Sequence, residues 1–224
     1  MGFKERVARN TQESLYKELT AFNRDIATII NSTKLTKAEH TSKLDDSSDV
    51  TLRTVEDEKD EILLAQFSDS IVIFSNGNTE KNLITISNVA KQIMIAAINR
   101  EKPIPLKGAL AEGYITCDKD KQLFFGQALI DAYLLEENIQ YYGIVVHHSA
   151  EQSVKNYATE MFKDNLVPLK SGKINHYELV WYNDTSDDVK SGLERIRLNV
   201  SDSPRKYVDN TNSIIDDFIE KKNK

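Results

Sequence analysis

The sequence has little cysteine, no long apolar run and no excess of positive charge. Its single cysteine, Cys117, excludes an intramolecular disulfide and is typical of a reducing compartment. No apolar stretch approaches the roughly 20 residues that span a bilayer, and charged residues follow Met1 too soon for a signal peptide. The formal charge of −6 argues against nucleic acid or an anionic membrane as the main partner. We therefore expect a cytoplasmic protein that binds neither nucleic acid nor membrane.

The composition and the order of patterns predict a folded α+β protein. Of the 224 residues, 40% are hydrophobic, which is enough for a substantial core. Helix, hairpin, helix, hairpin, helix, strand, helix, strand pair and helical tail follow one another along the chain. This order is typical of a ferredoxin-like or polymerase-palm-like sandwich, with helices packed on a mainly antiparallel sheet. We predict one domain over residues 1–182 and a helical C-terminal extension over residues 183–224.

The N-terminal half contains sequence patterns that predict two helices. Apolar residues at three- and four-residue steps over 15–29 predict the first helix. The polar stretch 33–60 that follows predicts a loop. Thr79 is a predicted N-cap for the next helix, which we expect to end near Lys102 because Pro103 cannot continue it.

Strands and helices alternate in the C-terminal half. Residues 106–116 predict a strand that forms a second hairpin with residues 122–125. Gly126 precedes a predicted helix, and a further strand, helix and strand pair follow. Two helices separated by Pro204 are predicted to complete the chain.

The most informative stretch is a pair of apolar runs, 63–67 and 71–74, that meet at Ser68-Asp69-Ser70. Runs rich in aromatic and β-branched residues predict buried strands, and the polar break predicts a tight turn. A carboxylate held at such a turn can bind a metal ion or act as an acid or base. Asp69 can equally hydrogen-bond the backbone of its own turn, which is the more frequent role of aspartate there.

Two adjacent histidines, His147 and His148, lie at the end of a predicted strand. Because successive strand residues point to opposite faces, we do not expect these two side chains to share a metal ion.

Four motifs together resemble the catalytic domain of class III nucleotide cyclases. Residues 66–74 are similar to the second metal-carboxylate turn of that family, 105–113 to its proline-arginine-glycine strand, and 125–136 to the helix that starts at a glycine. Residues 1–4 resemble the end of its opening aspartate-aliphatic-leucine-glycine-phenylalanine motif. In size and in this opening remnant, the chain is similar to the stand-alone bacterial pyrimidine cyclases of antiphage Pycsar defence, which make cyclic CMP or cyclic UMP.

The resemblance implies a homodimeric enzyme that converts a nucleoside triphosphate to a 3′,5′-cyclic mononucleotide and pyrophosphate. A downstream effector would bind the cyclic product. Asp69 would be both a catalytic and a metal-binding residue. It would hold Mg²⁺ or Mn²⁺ together with an aspartate expected two positions before Met1. The implied substrate-binding residues are Gly2, Phe3, Lys4, Ser68, Lys107 and Asp131.

Departures from the family pattern bear on activity. Ile130 and Leu134 occupy the places of the family's asparagine and arginine, and neither can stabilise phosphate charge. Asp131 is the one polar candidate on that turn. These two substitutions argue against a purine cyclase of the usual kind. Because the family's first metal aspartate is not among the residues of this chain and one carboxylate alone would hold two metal ions poorly, we predict little or no activity for this chain. The alternatives are a catalytically inactive cyclase-homology domain that dimerises or senses nucleotides, and an unrelated α+β domain in which Asp69 is structural.

Overall fold

The computed structural model describes residues 11–42, 62–67, 70–118, 121, 123–182 and 186–222. These residues form a mixed α+β structure with helices packed on mainly antiparallel strands, which confirms the predicted fold class. The helices are α1 (Gln12–Ser42), α2 (Glu80–Ile98), α3 (Gln127–Asn138), α4 (His148–Tyr157), α5 (Ser186–Arg197) and α6 (Ser203–Lys222). The strands are β1 (Ile62–Phe67), β2 (Ser70–Ser75), β3 (Gly108–Leu110), β4 (Thr116–Asp118), β5 (Leu123–Phe125), β6 (Ile144–Val146), β7 (Phe162–Leu169) and β8 (Gly172–Leu179).

The described strands form three sheets. β1 pairs with β2, and β4 pairs with β5, both antiparallel. The third sheet has four strands in the order β3-β6-β8-β7, and only its β3-β6 pair is parallel. Leu110 and Val146 are register partners in that pair, so the carboxyl ends of β3 and β6 meet at one edge of the sheet.

β2 and β3 both pack against one helix, α2. Ile73 of β2 packs against the cluster that contains Val89 of α2, and Leu110 of β3 packs against a second cluster that the same helix contacts. The loops after the two strands are joined by the Asn78 amide, which donates to the Glu112 carboxylate at 3.1 Å. Hairpin, helix and strand therefore form one packed unit.

The C-terminal helices complete the largest core. Leu193 of α5 and Val208 of α6 are fully buried in the same cluster as Tyr141 and Trp181. The Thr211 hydroxyl accepts a hydrogen bond from the backbone N–H of Tyr142 at 2.9 Å. The helical extension predicted from residue 183 thus packs directly on the four-stranded sheet. Among the described helices, none combines the length and apolarity needed to cross a membrane.

The bounds of the first two helices differ from the predicted ones. α1 continues to Ser42, so the loop prediction from residue 33 is wrong up to that point. Lysine, alanine and glutamate in this stretch are good helix formers, and polarity alone did not identify a loop. The N-cap prediction is confirmed, because the Thr79 side chain accepts the N–H of Asn82. α2 ends at Ile98 rather than near residue 102, since the chain turns back and Ile104 donates to a carbonyl of α2.

Residues 106–116 form two strands rather than one. β3 and β4 belong to different sheets, although the β4-β5 hairpin itself was predicted correctly. The strand breaks where Glu112 leaves the ladder, because its backbone N–H donates to the Ser149 hydroxyl at 3.0 Å. That partner lies 37 residues away in the sequence, so no local pattern indicated the break.

Candidate functional site

The β1-β2 hairpin carries the predicted catalytic turn. Phe67 and Ser70 are register partners, so only Ser68 and Asp69 connect the two strands along the chain. Ser68 and Asp69 lie outside the described residues, as do Gly2, Phe3 and Lys4. The roles predicted for these five residues therefore stay predictions, and the described strands give only the position of the turn in the sequence.

The side chain of Lys107, which precedes β3 in the sequence, contacts the C-terminal end of α3. Its Nζ donates to the backbone carbonyl of Glu136 at 2.8 Å and lies 3.2 Å from the carboxylate of the same residue. The ammonium is also 6.0 Å from the centroid of the Tyr207 ring. A cation that satisfies a terminal carbonyl stabilises the negative end of a helix. Lys107 therefore caps α3, and its predicted contact with substrate remains untested.

Asp131 lies nearer the start of the same helix. Its carboxylate accepts a hydrogen bond from the Gln127 amide at 2.7 Å and lies 3.9 Å from Nδ1 of His147. Along the helix axis Asp131 is about 7.5 Å from Glu136, the partner of Lys107, at 1.5 Å per residue. The two described residues predicted to bind substrate thus contact different groups at different ends of α3.

Three histidines gather at the carboxyl end of β6. The ring centroids of His147 and His148 are 4.0 Å apart, and Nδ1 of His176 lies 3.2 Å from the carbonyl oxygen of Val146. The expectation that the first two point to opposite faces is wrong. His147 is the N-cap of α4 and His148 is its first residue, so strand alternation does not apply to them. In the described part of the chain, no three His, Cys, Asp or Glu side chains could hold a metal ion.

Nδ1 of His147 faces the start of α4. It lies 3.0 Å from the Ser149 hydroxyl and accepts the Ser149 backbone N–H at 3.4 Å. A Ser-His-Asp triad needs serine and aspartate on opposite ring nitrogens, whereas Ser149 and Asp131 both approach Nδ1. Burial is the main cause that lowers the pKa of His147, and the neighbouring His148 adds to it. The arrangement is therefore suited to capping a helix with a neutral imidazole rather than to nucleophilic catalysis.

A second polar group, the Glu178 centre, consists of Glu178, Tyr141, Asn165 and Tyr182. The Glu178 carboxyl is 1% exposed and accepts hydrogen bonds from Tyr141 at 3.0 Å, Asn165 at 2.9 Å and Tyr182 at 3.2 Å. Burial raises the pKa of Glu178, and burial followed by the Glu178 charge raises the pKa of both tyrosines. Because every donor finds its acceptor inside the chain, this centre is organised for stability.

An exposed apolar surface, the α3 face, covers one side of α3 and the adjoining hairpin. Its members are at least half exposed: Tyr114, Leu123, Phe125, Ile130, Tyr133 and Leu134. The three helical members are three and four residues apart, which places them on one side of the helix. Gly126 joins the two parts, because a Cβ there would lie 2.2 Å from the Tyr114 carbonyl oxygen. The hairpin and the helix therefore lie directly against each other at Gly126.

Comparison with known proteins returned no relative: no protein-family model matches the chain, and no significant match was found among curated proteins or solved structures. The resemblance to class III cyclases thus depends on the sequence motifs described above.

Proposed function

We propose that this chain is a nucleotide cyclase domain that converts a nucleoside triphosphate, preferably a pyrimidine one, to a 3′,5′-cyclic mononucleotide and pyrophosphate. The product would act as a second messenger in antiviral defence. The register of β1 and β2 carries the proposal, because it leaves Ser68 and Asp69 as the whole connection between two strands with the cyclase-like motif. In the proposed reaction the ribose 3′ oxygen bonds to the α-phosphorus and pyrophosphate leaves.

The β2-α2-β3 unit supports a palm-like core. β2 and β3 both pack against α2, and among the described strands each has a neighbour on one side only. A split β-α-β core places another strand between two such strands. A strand inserted there would join the two sheets and bring its own side chains next to the turn at Asp69. The family's opening aspartate belongs to a strand in that position.

The metal requirement stays a prediction. The described residues contain no set of three His, Cys, Asp or Glu that could hold Mg²⁺ or Mn²⁺, and Asp69 lies outside them. Oxygen-rich carboxylate sites suit these hard cations, so the test of the proposal includes the metal as a variable.

The α3 face supports a second candidate, a cyclase-homology domain that dimerises without catalysis. Ile130 and Leu134 stand in the places of the family's polar catalytic residues and are 51% and 52% exposed. Contiguous exposed apolar surfaces mark sites of protein association. In both candidates we propose that two copies of the chain associate through this face.

Activity is tested with three forms of the protein. One is this chain, one is extended so that an aspartate lies two positions before Met1, and one is the extended form with Asp69→Asn. Each is incubated with the four nucleoside triphosphates, with and without Mn²⁺, and cyclic products are separated by mass spectrometry. We expect product from the extended form with Mn²⁺ only, little from this chain, and a loss of about 100-fold or more in Asp69→Asn.

The matched control is Asp164→Asn in the extended form, since Asp164 is an exposed aspartate of β7. This control should keep full activity. Nucleotide binding without product in any form would favour the inactive domain. Neither binding nor product, or equal turnover in Asp69→Asn, would overturn the cyclase proposal.

Association is tested by sedimentation velocity with Leu134→Lys. Burying an unpaired charge in an apolar interface is costly, so we expect this variant to be monomeric at concentrations where the parent is dimeric. Leu166→Lys is the control, because Leu166 lies on β7 and is 56% exposed. A monomeric parent chain, or equal association in both variants, would contradict the proposed interface.

A further inference from the structure

We propose that His147 is an acid-sensitive helix cap, which holds the start of α4 against the end of β3 when its imidazole is neutral and releases it on protonation. This inference is independent of the proposed enzymatic activity.

A chain of hydrogen bonds passes through one imidazole nitrogen. The Glu112 backbone N–H donates to the Ser149 hydroxyl at 3.0 Å, and that hydroxyl lies 3.0 Å from Nδ1 of His147. The Ser149 backbone N–H also points to Nδ1, at 3.4 Å. Since the Ser149 hydroxyl accepts from Glu112, its own proton is available for the imidazole. Because the Ser149 backbone N–H donates to Nδ1, that nitrogen carries a lone pair, so this arrangement requires the neutral ring with its proton on Nε2.

The same connection fixes the loop after β3. The Glu112 carboxylate accepts hydrogen bonds from the Asn78 amide and from the Ser153 hydroxyl in the second turn of α4. Glu112 thus ties the loops after β2 and β3 to α4, while Ser149 ties the same helix to His147. Weakening the His147 cap would therefore weaken the contacts between α4 and the loops that follow β2 and β3.

Protonation reverses the role of Nδ1. A protonated Nδ1 can only donate, so the Ser149 backbone N–H loses its acceptor and the Ser149 hydroxyl has to turn from donor to acceptor. The new positive charge sits at a helix N-terminus, where the macrodipole disfavours cations. It also lies beside the His148 ring, whose centroid is 4.0 Å away.

The charged and titratable groups around His147 come from three elements. His148 and Glu151 belong to α4, Asp131 to α3 and His176 to β8. The two carboxylates favour the imidazolium and the two histidines oppose it. Burial, the largest effect, brings the pKa of His147 below its usual 6.5. The folded protein therefore binds this proton less readily than the unfolded chain. Stability is full above about pH 6.5 and falls as the pH decreases below it.

Asp131 gives the charged ring an alternative partner. Its Oδ2 is 3.9 Å from Nδ1 in the capped arrangement, which is too long for a hydrogen bond. A small ring movement on protonation would exchange the cap of α4 for an ion pair with α3. In the capped arrangement His147 contacts the start of α4, and in the ion-paired arrangement it contacts α3.

The experiment is amide hydrogen exchange in the first turns of α4 at pH 7.5 and pH 5.5, corrected for the intrinsic rates. We expect exchange to rise about fivefold at the lower pH in the parent protein, since an N-cap contributes about 1 kcal/mol. His147→Asn supplies a cap that does not titrate in this range, so its exchange should change less than about twofold.

A nuclear magnetic resonance titration of the parent protein keeps the test valid if His147→Asn does not fold. Protonation of the His147 ring should follow the same midpoint as the loss of protection in α4. Equal pH responses in parent and His147→Asn, unchanged exchange in α4, or a ring that titrates without any change in α4 would each overturn the proposal.

Discussion

At the Glu178 centre a carboxyl is 1% exposed, whereas on the α3 face Phe125 and Tyr133 are each 59% exposed. Both regions reverse the usual distribution of polar and apolar side chains, but they do so in different ways. The carboxyl has its three donors inside the chain. The aromatic side chains of the α3 face remain in contact with solvent, so their burial requires another molecule.

This difference separates stability from association. A buried polar group that is fully hydrogen-bonded contributes to the fold of a single copy, and removing one partner leaves the others unsatisfied. Exposed apolar side chains contribute little to the fold of a single copy. Substitutions at the Glu178 centre should therefore change the free energy of unfolding, and substitutions on the α3 face should change the association of copies.

The largest effect is expected for Glu178→Ala. It removes the acceptor of two buried hydroxyls and one amide and leaves a cavity, so the free energy of unfolding should fall by about 3–5 kcal/mol. Urea unfolding followed by circular dichroism measures this loss. Glu178→Gln keeps the volume and one acceptor oxygen, so it should lose about 1–3 kcal/mol. Unchanged stability in Glu178→Gln would show that volume, rather than hydrogen bonding, defines the centre.

A matched pair of leucines tests whether the C-terminal helices belong to the core. Leu193 is fully buried in α5, and Leu198, just after that helix, is 76% exposed. Leu193→Ala should lower the free energy of unfolding by about 2–5 kcal/mol, and Leu198→Ala should change it by about 0.5 kcal/mol or less. If Leu193→Ala behaves like the exposed control, the extension contributes little to the fold of the preceding residues.

A smaller effect is expected at the end of α3. Lys107→Met keeps the aliphatic stem but removes the charge that caps Glu136, so the free energy of unfolding should fall by about 1 kcal/mol. Lys107→Arg keeps the cation and should lose less. Thermal unfolding of the parent protein and the two variants at one concentration distinguishes these outcomes. No loss in Lys107→Met would show that Lys107 does not stabilise the end of α3.

The smallest effect on stability is expected for Ile130→Ser. At a concentration where the protein is monomeric, the free energy of unfolding should change by about 0.5 kcal/mol or less, because half of this side chain already contacts solvent. Chemical unfolding at two protein concentrations provides the measurement. A large loss in the monomer would place Ile130 among the core residues and would weaken the contrast with the Glu178 centre.

Local patterns predicted the elements that local interactions form. The Thr79 cap depends on a contact three residues away, and the hairpins are visible as paired apolar runs. In the Glu178 centre, Glu178 is hydrogen-bonded to Tyr141, which lies 37 positions away, so the composition of the centre cannot be inferred from β8 alone. The cap formed by His147 was missed for a different reason, because His147 and His148 were interpreted as strand residues and alternation was applied where a helix begins.

The candidate site was less accessible to sequence reasoning than the fold. Lys107 and Asp131 were chosen by resemblance, and each has a described partner that the motif did not indicate. No periodicity reveals that Asp131 approaches His147, because the two residues belong to different helices and come together only in the tertiary structure. Asp69, Ser68, Gly2, Phe3 and Lys4 lie outside the described residues, and their roles depend on the proposed experiments.

The two parts of the α3 face can adjoin because residue 126 is glycine and has no Cβ atom. Gly126 has φ +156°, and any side chain on it would collide with the carbonyl of Tyr114. A bulkier residue would push the helix away from the hairpin and separate the two parts of the α3 face. The exposed side chains of the α3 face can therefore be substituted to match a different binding partner, whereas Gly126 tolerates no substitution.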